Sequence, residues 1–454
     1  MIYQLIKLLL KGTIRVFFRS ITISNANFIP KKGPLILLAN HPSTFMDPIV
    51  LASVINRKVY FLGKGELFKG AFAKWFLTHM NIIPVYRKQD DPSELNKNAD
   101  TFRKCYEHLE NGGVILIFPE GVSVTERKLK PIKGGASHIA LGAEGRNDFK
   151  LGVKIINIGL NYADQHKFNK DLYINIHEPI AIADYAEKFK ADKTKTIKEL
   201  TETIAQHLDE VVISIHDAKT DELVKNIEQL YMHQLKEKRG VSQNNLEAEF
   251  DITKNIVKAV NYYLKNEPQF VETMQLRIKI YLNNLNKLQL NDSTILNNKK
   301  NYLLHHIKGL LLLILGFPLY LFGLINNFLP FEIPGFVAVK IVKSKDYKGA
   351  IGMVLGMFTF IIFYSLQILF FKHFSQNNLL SLIYALSLPV TGFFAYFYWH
   401  QFTDYRSDFF FNNLFKNKRT MIDDLIAERE SIIYEFEQAK EDFLAKNKQE
   451  KESL

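Results

Sequence analysis

Four short, mostly apolar runs at 35–39, 59–62, 114–118 and 153–160 alternate with longer stretches of helical periodicity at 66–80, 94–111 and 136–144. Runs of that length bounded by polar turns predict largely buried strands, and the alternation predicts an α/β fold: a mixed sheet flanked by helices. Residues 171–182 read as a further strand pair or edge element. From 186 to 300 the pattern turns polar, rich in Lys, Glu and Asn, and helical, which predicts a helical accessory domain after a catalytic domain over 31–185.

Apolar positions then dominate 301–400. Segments 349–371 and 379–399 carry no Lys, Arg, Asp or Glu and match the roughly 20 residues that cross a hydrocarbon core, so they are expected to be transmembrane. Segment 309–330 contains Gly316 and Pro318, which predict a break and hence a re-entrant or interfacial hairpin. Lys340, Lys343, Lys345 and Lys348 precede the pair of spans, and Arg406, Lys416, Lys418 and Arg419 follow it. Basic flanks on both sides predict a multi-pass membrane protein whose catalytic domain is cytoplasmic. Residues 401–454 form a cytoplasmic helical tail on this reading. At the other end, 1–30 holds Lys7, Lys11, Arg15 and Arg19 at every fourth position among Leu, Ile and Phe, with no acid. That pattern predicts an amphipathic helix lying in the headgroup plane; an ordinary packing helix is the alternative. Lys7 and Lys11 interrupt the apolar core that a cleaved signal peptide needs.

Composition narrows the partners. Across 454 residues, 58 Lys+Arg against 47 Asp+Glu leave a net charge of +11, which favours an anionic partner. Aromatics at 13%, with 36 Phe, point to a lipid bilayer and away from nucleic acid. The single cysteine, Cys105, excludes an internal disulfide framework and a multi-thiolate metal site, and no metal is expected.

The candidate chemistry starts at Asn40-His41-Pro42-Ser43-Thr44-Phe45-Met46-Asp47, directly after an apolar run. A histidine leaving a strand with a carboxylate a few residues on can form a pair in which the acid holds one ring nitrogen and the other takes a proton. Such pairs also arise by chance, as a loop cap and a helix start. Phe118-Pro119-Glu120-Gly121 follows the next strong strand and offers a carboxylate and backbone N–H groups at the same sheet edge. Between them, Asn81-Ile82-Ile83-Pro84-Val85-Tyr86-Arg87 ends in a cation suited to a phosphate.

Taken in order, these blocks resemble the glycerolipid acyltransferase family over residues 13–182. Five residues separate His41 from Asp47 where the commonest family pattern has four, which is similar to the yeast-type glycerol-3-phosphate and dihydroxyacetone-phosphate acyltransferases. The family's Thr-Arg-Ser is replaced after Gly121 by Val122-Ser123-Val124-Thr125-Glu126-Arg127. Together with Gly159-Leu160-Asn161-Tyr162 and His166-Lys167-Phe168, this again resembles that subset.

The resemblance implies the glycerolipid acyltransferase fold and transfer of a fatty acyl group from acyl-CoA or acyl carrier protein to a phosphorylated glycerol, with no cofactor. It implies His41 as general base and Asp47 as its orienting partner. Arg87, Glu120, Gly121, Ser123, Arg127, Lys133 and Lys64 are its implied substrate-binding residues. Lysophosphatidate is the alternative acceptor. A non-catalytic lipid-binding membrane protein is the alternative of another class, against which the joint presence of His41, Asp47, Glu120 and Gly121 argues.

Overall fold

The computed structural model describes residues 2–87, 96–123, 125–292, 295, 302–341, 345–417 and 419–452. Val124 of the third block, Lys343 of the basic loop and Lys418 of the basic flank lie outside the described residues. The chain divides into two compact units, Met1–Asp217 with Gly335–Met357 and Ala218–Pro334 with Phe358–Leu454.

The first unit is built on an eight-stranded mixed sheet: β1 (Phe18–Ser24), β2 (Leu35–Ala39), β3 (Val59–Lys64), β4 (Ile82–Val85), β5 (Val114–Ile117), β6 (Lys154–Tyr162), β7 (Lys170–Ile176) and β8 (Ile180–Ala181). Its order is β1-β7-β6-β2-β5-β3-β4, with β8 beside β6. Strands β4, β3, β5, β2 and β6 all run parallel, so their carboxyl ends share one edge. β7 and β8 run antiparallel to β6.

Strand β2 shows why the sheet is central. Leu35, Leu37 and Ala39 point into an apolar cluster with Met46, Val50 and Leu51 of α2 (Met46–Val54) and Ile14 and Phe17 of α1 (Ile2–Phe17). Ile36 and Leu38 point the other way. They meet Cys105 and Leu109 of α4 (Asn98–Glu110), Ile139 of α5 (Gly135–Arg146), and Leu200, Ile204 and Leu208 of α7 (Lys193–Val211). The two-residue period of a strand thus feeds two cores, and each fully buried leucine contributes roughly 1.5–3 kcal/mol.

Two boundaries differ from the sequence expectation. The amino-terminal helix stops at Phe17, because Phe17 and Phe18 both turn into the core and the chain pairs with β7 as β1. Arg19 therefore sits in a strand, ion-paired with Asp171, rather than on the helical basic stripe. Residues 186–217 belong with the α/β unit, since the Leu200, Ile204 and Leu208 stripe of α7 covers its sheet. Ala350 and Met353 join the cluster of Leu37 and Met46, so this unit also includes the start of an apolar helix.

The second unit is helical: α8 (Ala218–Lys238), α9 (Leu246–Asn266), α10 (Pro268–Lys287) and a tail helix Arg419–Glu452. Buried Arg429 of the tail grips Asp292 through Nε and Nη2 at 2.9 and 3.0 Å, and Tyr281 donates to the same carboxylate at 2.7 Å. Among the described residues, three helices are long and apolar enough to cross a membrane: Gly309–Ile341, Tyr347–Ser375 and Asn378–Ser407.

The first of these runs unbroken through Gly316, Pro318, Pro330 and Pro334, where a hairpin break was expected at Gly316 and Pro318. A proline removes one N–H and frees the carbonyl four residues back. Pro330 frees Asn326, whose carbonyl accepts from Gln367 Nε2 at 2.8 Å; Pro334 frees Pro330, whose carbonyl accepts from Thr359 Oγ1 at 2.9 Å. One turn before Pro318, the Leu313 carbonyl accepts from Tyr398 at 2.6 Å. At Pro330 and Pro334, side chains of the next helix thus supply the missing donor.

Candidate active site

Every sequence-selected block lies at the carboxyl edge of the parallel strands, where loops leave the sheet and backbone groups are open to a ligand. Asn40 continues β2 by using its side chain as a peptide group. Its Oδ1 accepts from Leu160 N at 2.7 Å and its Nδ2 donates to Leu160 O at 3.1 Å. That clamp fixes the next residue, His41, against the end of β6.

His41 Nδ1 lies 2.7 Å from Asp47 Oδ2, and Asp47 is completely buried. The same oxygen accepts from Ser43 N at 2.8 Å, and the other, Oδ1, accepts from the Tyr162 hydroxyl at 2.8 Å. Burial pushes the Asp47 carboxyl above the usual carboxylate range, while the His41, Ser43 and Tyr162 contacts pull it back. Burial and the Asp47 charge together hold the Tyr162 phenol well above its ordinary value, so it stays a donor. Phe118 stacks on the imidazole at 3.9 Å with the rings 12° apart. With Nδ1 engaged, Nε2 is the ring nitrogen left to take a proton.

Glu120 is buried, and its two oxygens are both committed to backbone: Oε1 accepts from His41 N and Oε2 from Lys130 N, each at 2.9 Å. Its carboxylate staples the histidine loop to the following loop. Burial raises its pKa, and these two N–H groups oppose the rise. Gly121 has φ of +69°, a region that favours glycine, and an added Cβ would come within 2.7 Å of Lys133 Nζ. Arg87 Nη1 donates to the Gly121 carbonyl. Two cations therefore converge on one turn beside the histidine loop.

Lys64 is exposed at the end of β3, paired in register with Val85, two residues before Arg87. Ser123 has a buried hydroxyl with no hydrogen-bond partner among the described residues. Arg127 is placed by its carbonyl, which accepts from Ile215 N at 2.6 Å. Hydrogen bonds and close approaches thus join His41, Asp47, Glu120, Gly121, Arg87 and Lys133, and the fold brings Lys64, Ser123 and Arg127 to the same edge. Among the described residues, no group of three or more His, Cys, Asp or Glu side chains is placed to hold a metal ion.

Tyr162 was legible only as part of Gly-Leu-Asn-Tyr, and its hold on Asp47 was not. Asn161 and Gly159 serve the scaffold: Asn161 Nδ2 donates to Val211 O at 3.0 Å, and a Cβ on Gly159 would fall 1.9 Å from that oxygen. Gln165 Nε2 lies 3.4 Å from both the Pro42 and Thr125 carbonyls, tying the histidine loop to the loop after Gly121.

A buried carboxylate holding one imidazole nitrogen leaves the other nitrogen able to take a proton from a hydroxyl, and the two cations that meet at this edge offer positive charge to an anion. Residues 20–160 match the acyltransferase family. The chain is 25% identical over 358 residues to glycerol-3-phosphate O-acyltransferase 1 of Saccharomyces cerevisiae, covering 60% of this chain and 46% of that protein. Glycerol-3-phosphate O-acyltransferase 2 of the same yeast is 32% identical over 135 residues, 30% of this chain and 18% of that one. A chloroplastic 1-acyl-sn-glycerol-3-phosphate acyltransferase of Brassica napus is 27% identical over 148 residues, 33% of this chain and 39% of that one. The chain spans less than half the length of each of these three relatives.

Proposed function

We propose that this protein is a membrane-bound acyltransferase of phospholipid synthesis that moves a fatty acyl group from acyl-CoA or acyl carrier protein to the sn-1 hydroxyl of glycerol 3-phosphate, with dihydroxyacetone phosphate as a second acceptor. The observation that carries this reading is the 2.7 Å contact of His41 with buried Asp47 inside the stretch that matches the acyltransferase family. His41 Nε2 takes the proton of the acceptor hydroxyl as its oxygen attacks the thioester carbonyl. The tetrahedral intermediate then expels the thiolate, the C–S bond breaks, and the imidazolium returns its proton to sulfur. Both substrates are thereby converted without an acyl-enzyme.

Arg87 and Lys133 take the acceptor phosphate on this reading, with Lys64, Ser123 and Arg127 around them. Glu120 and Gly121 shape the acceptor pocket indirectly, by fixing the turn on which the cations converge. On this reading the protein is multi-pass with its catalytic domain on the cytoplasmic side, which the long apolar helices and the basic residues at their flanks support. No cofactor enters beyond the acyl thioester.

A second reading, acylation of lysophosphatidate, draws on the similarity to the Brassica napus enzyme. Initial rates of the purified protein with one acyl thioester and glycerol 3-phosphate, dihydroxyacetone phosphate or lysophosphatidate decide between them. The highest kcat/KM for glycerol 3-phosphate is expected; a higher value for lysophosphatidate establishes the second reading, and no transfer to any of the three overturns both.

A further inference from the structure

Helix α3 (Ala71–His79) is nine residues long, and none of them is buried. It lies at the β4 edge of the sheet, following a short 3-10 turn at Gly65–Phe68. Its inner side, Ala73, Phe76 and Leu77, is only half-buried, and its outer side is aromatic. Phe72 is 76% exposed, Trp75 47% and, in the turn before it, Leu67 45%. Phe72, Trp75, Phe76 and His79 follow the i, i+3, i+4, i+7 spacing of a single face. Their rings touch in sequence: Phe72 to Trp75 at 6.0 Å, Phe72 to Phe76 at 6.2 Å and Trp75 to His79 at 4.7 Å. Lys69 and Lys74 are exposed beside this face.

We propose that this face is a docking surface for an anionic lipid leaflet, with Leu67, Phe72 and Trp75 entering at the boundary of headgroups and acyl chains while Lys69 and Lys74 meet lipid phosphates. Three features select a bilayer over a protein partner. The apolar residues are the Trp and Phe that favour the water–hydrocarbon interface. The charges beside them are lysines, with Glu66 the one acid between Lys64 and His79, and long lysine stems let the ammonium reach the headgroups. A bilayer is also at hand for this unit, because it includes Tyr347–Met357, the opening of a helix long and apolar enough to span one; Tyr347 packs on Phe45, four residues from His41. The surface is separate from the dyad and stands whatever the site transfers. Its position between β3 and β4 sets the lipid beside the edge that carries Lys64 and Arg87.

Trp75 and Trp399 are the two tryptophans of the chain, so Trp75 can report on its own surroundings. The full-length Trp399→Phe protein is reconstituted in vesicles of equal parts phosphatidylcholine and phosphatidylglycerol, with or without bromine near the headgroup end of the acyl chains. Trp75 emission is expected to be blue-shifted and to fall by roughly half in the brominated vesicles, and Lys69→Glu with Lys74→Glu should remove most of that quenching. Should Trp399→Phe fail to fold, the difference in quenching between the native protein and Trp75→Phe carries the same information. Unquenched, red-shifted emission means that the face is bathed in water, and unquenched, blue-shifted emission means that protein covers it, from this chain or a second copy. Either result overturns the proposal, and neither depends on acyl transfer.

Discussion

Tyr162 donates to Asp47 Oδ1 at 2.8 Å from 115 residues away in sequence, so the carboxylate that steadies His41 is itself held from the end of β6. Three donors share its two oxygens, and the phenol is the one supplied by a side chain outside the histidine loop. Tyr162→Phe removes that donor with little change of volume. We expect kcat to fall about tenfold with KM unchanged, since a hydrogen bond to a charged group contributes roughly 1.5–3 kcal/mol. Because the phenol lowers the Asp47 pKa, its loss raises it; Asp47 then takes up its proton at higher pH, and the acid limb of the kcat profile should move upward. An unmoved limb with full activity would assign Tyr162 to packing.

His41→Ala should abolish transfer by ~10²–10⁴-fold while the protein folds and enters the membrane as before. Circular dichroism and turnover on the same preparation check this. Near-normal turnover in a folded variant removes His41 from the mechanism.

Glu120→Gln places an NH₂ against one of two backbone N–H donors. The buried donor left unpaired destabilises by roughly 1–3 kcal/mol, and the loosened His41 loop should lower kcat. A rise in acceptor KM alone, with kcat and stability intact, would instead make Glu120 a substrate contact.

How much was legible follows from sequence distance. The fold class was, because β2, β5 and β6 announce themselves as short apolar runs. His41 and Asp47 were a visible pair because they are six positions apart at a strand end. Strand β1 was hidden: its Arg19 continues a helical spacing, and what makes it a strand is pairing with β7, about 150 residues on. Glu120 was placed at the right edge, but the two N–H groups that use up its oxygens could not be read from Phe-Pro-Glu-Gly. Pro318 was read as a break because the helix that packs beside it, whose Tyr398 reaches the Leu313 carbonyl, lies 85 positions on.

Arg87→Ala should raise KM for the phosphorylated acceptor far more than for the acyl thioester, since a phosphate clamp acts on one substrate. Arg87→Lys should restore part of the loss, keeping the charge but not the fork that also reaches the Gly121 carbonyl. Equal changes in both constants would make Arg87 a support for the turn alone.

Burial pushes the Cys105 thiol up to about 12, and its side chain is closed off in the α4 core. It should resist maleimide at neutral pH until the protein is denatured. A cysteine at exposed Gln376, in the turn between two apolar helices, can then be read in the native background. Labelling from the side opposite to a cysteine at exposed Glu107 is expected; labelling of both from one side would refute the out-and-back crossing.

The apolar helix carrying Pro318, Pro330 and Pro334 has a mechanical property that follows from its borrowed donors. A rod that lacks its own hydrogen bonds at three points is compliant there, and the hydroxyl of Thr359 and the amide of Gln367 bridge two of them. The stiffness of that helix at those two joints is therefore encoded in its neighbour. Thr359→Val or Gln367→Leu leaves every residue of the first helix unchanged, yet each should free one joint, and the bend would then be governed by the thickness of the surrounding lipid.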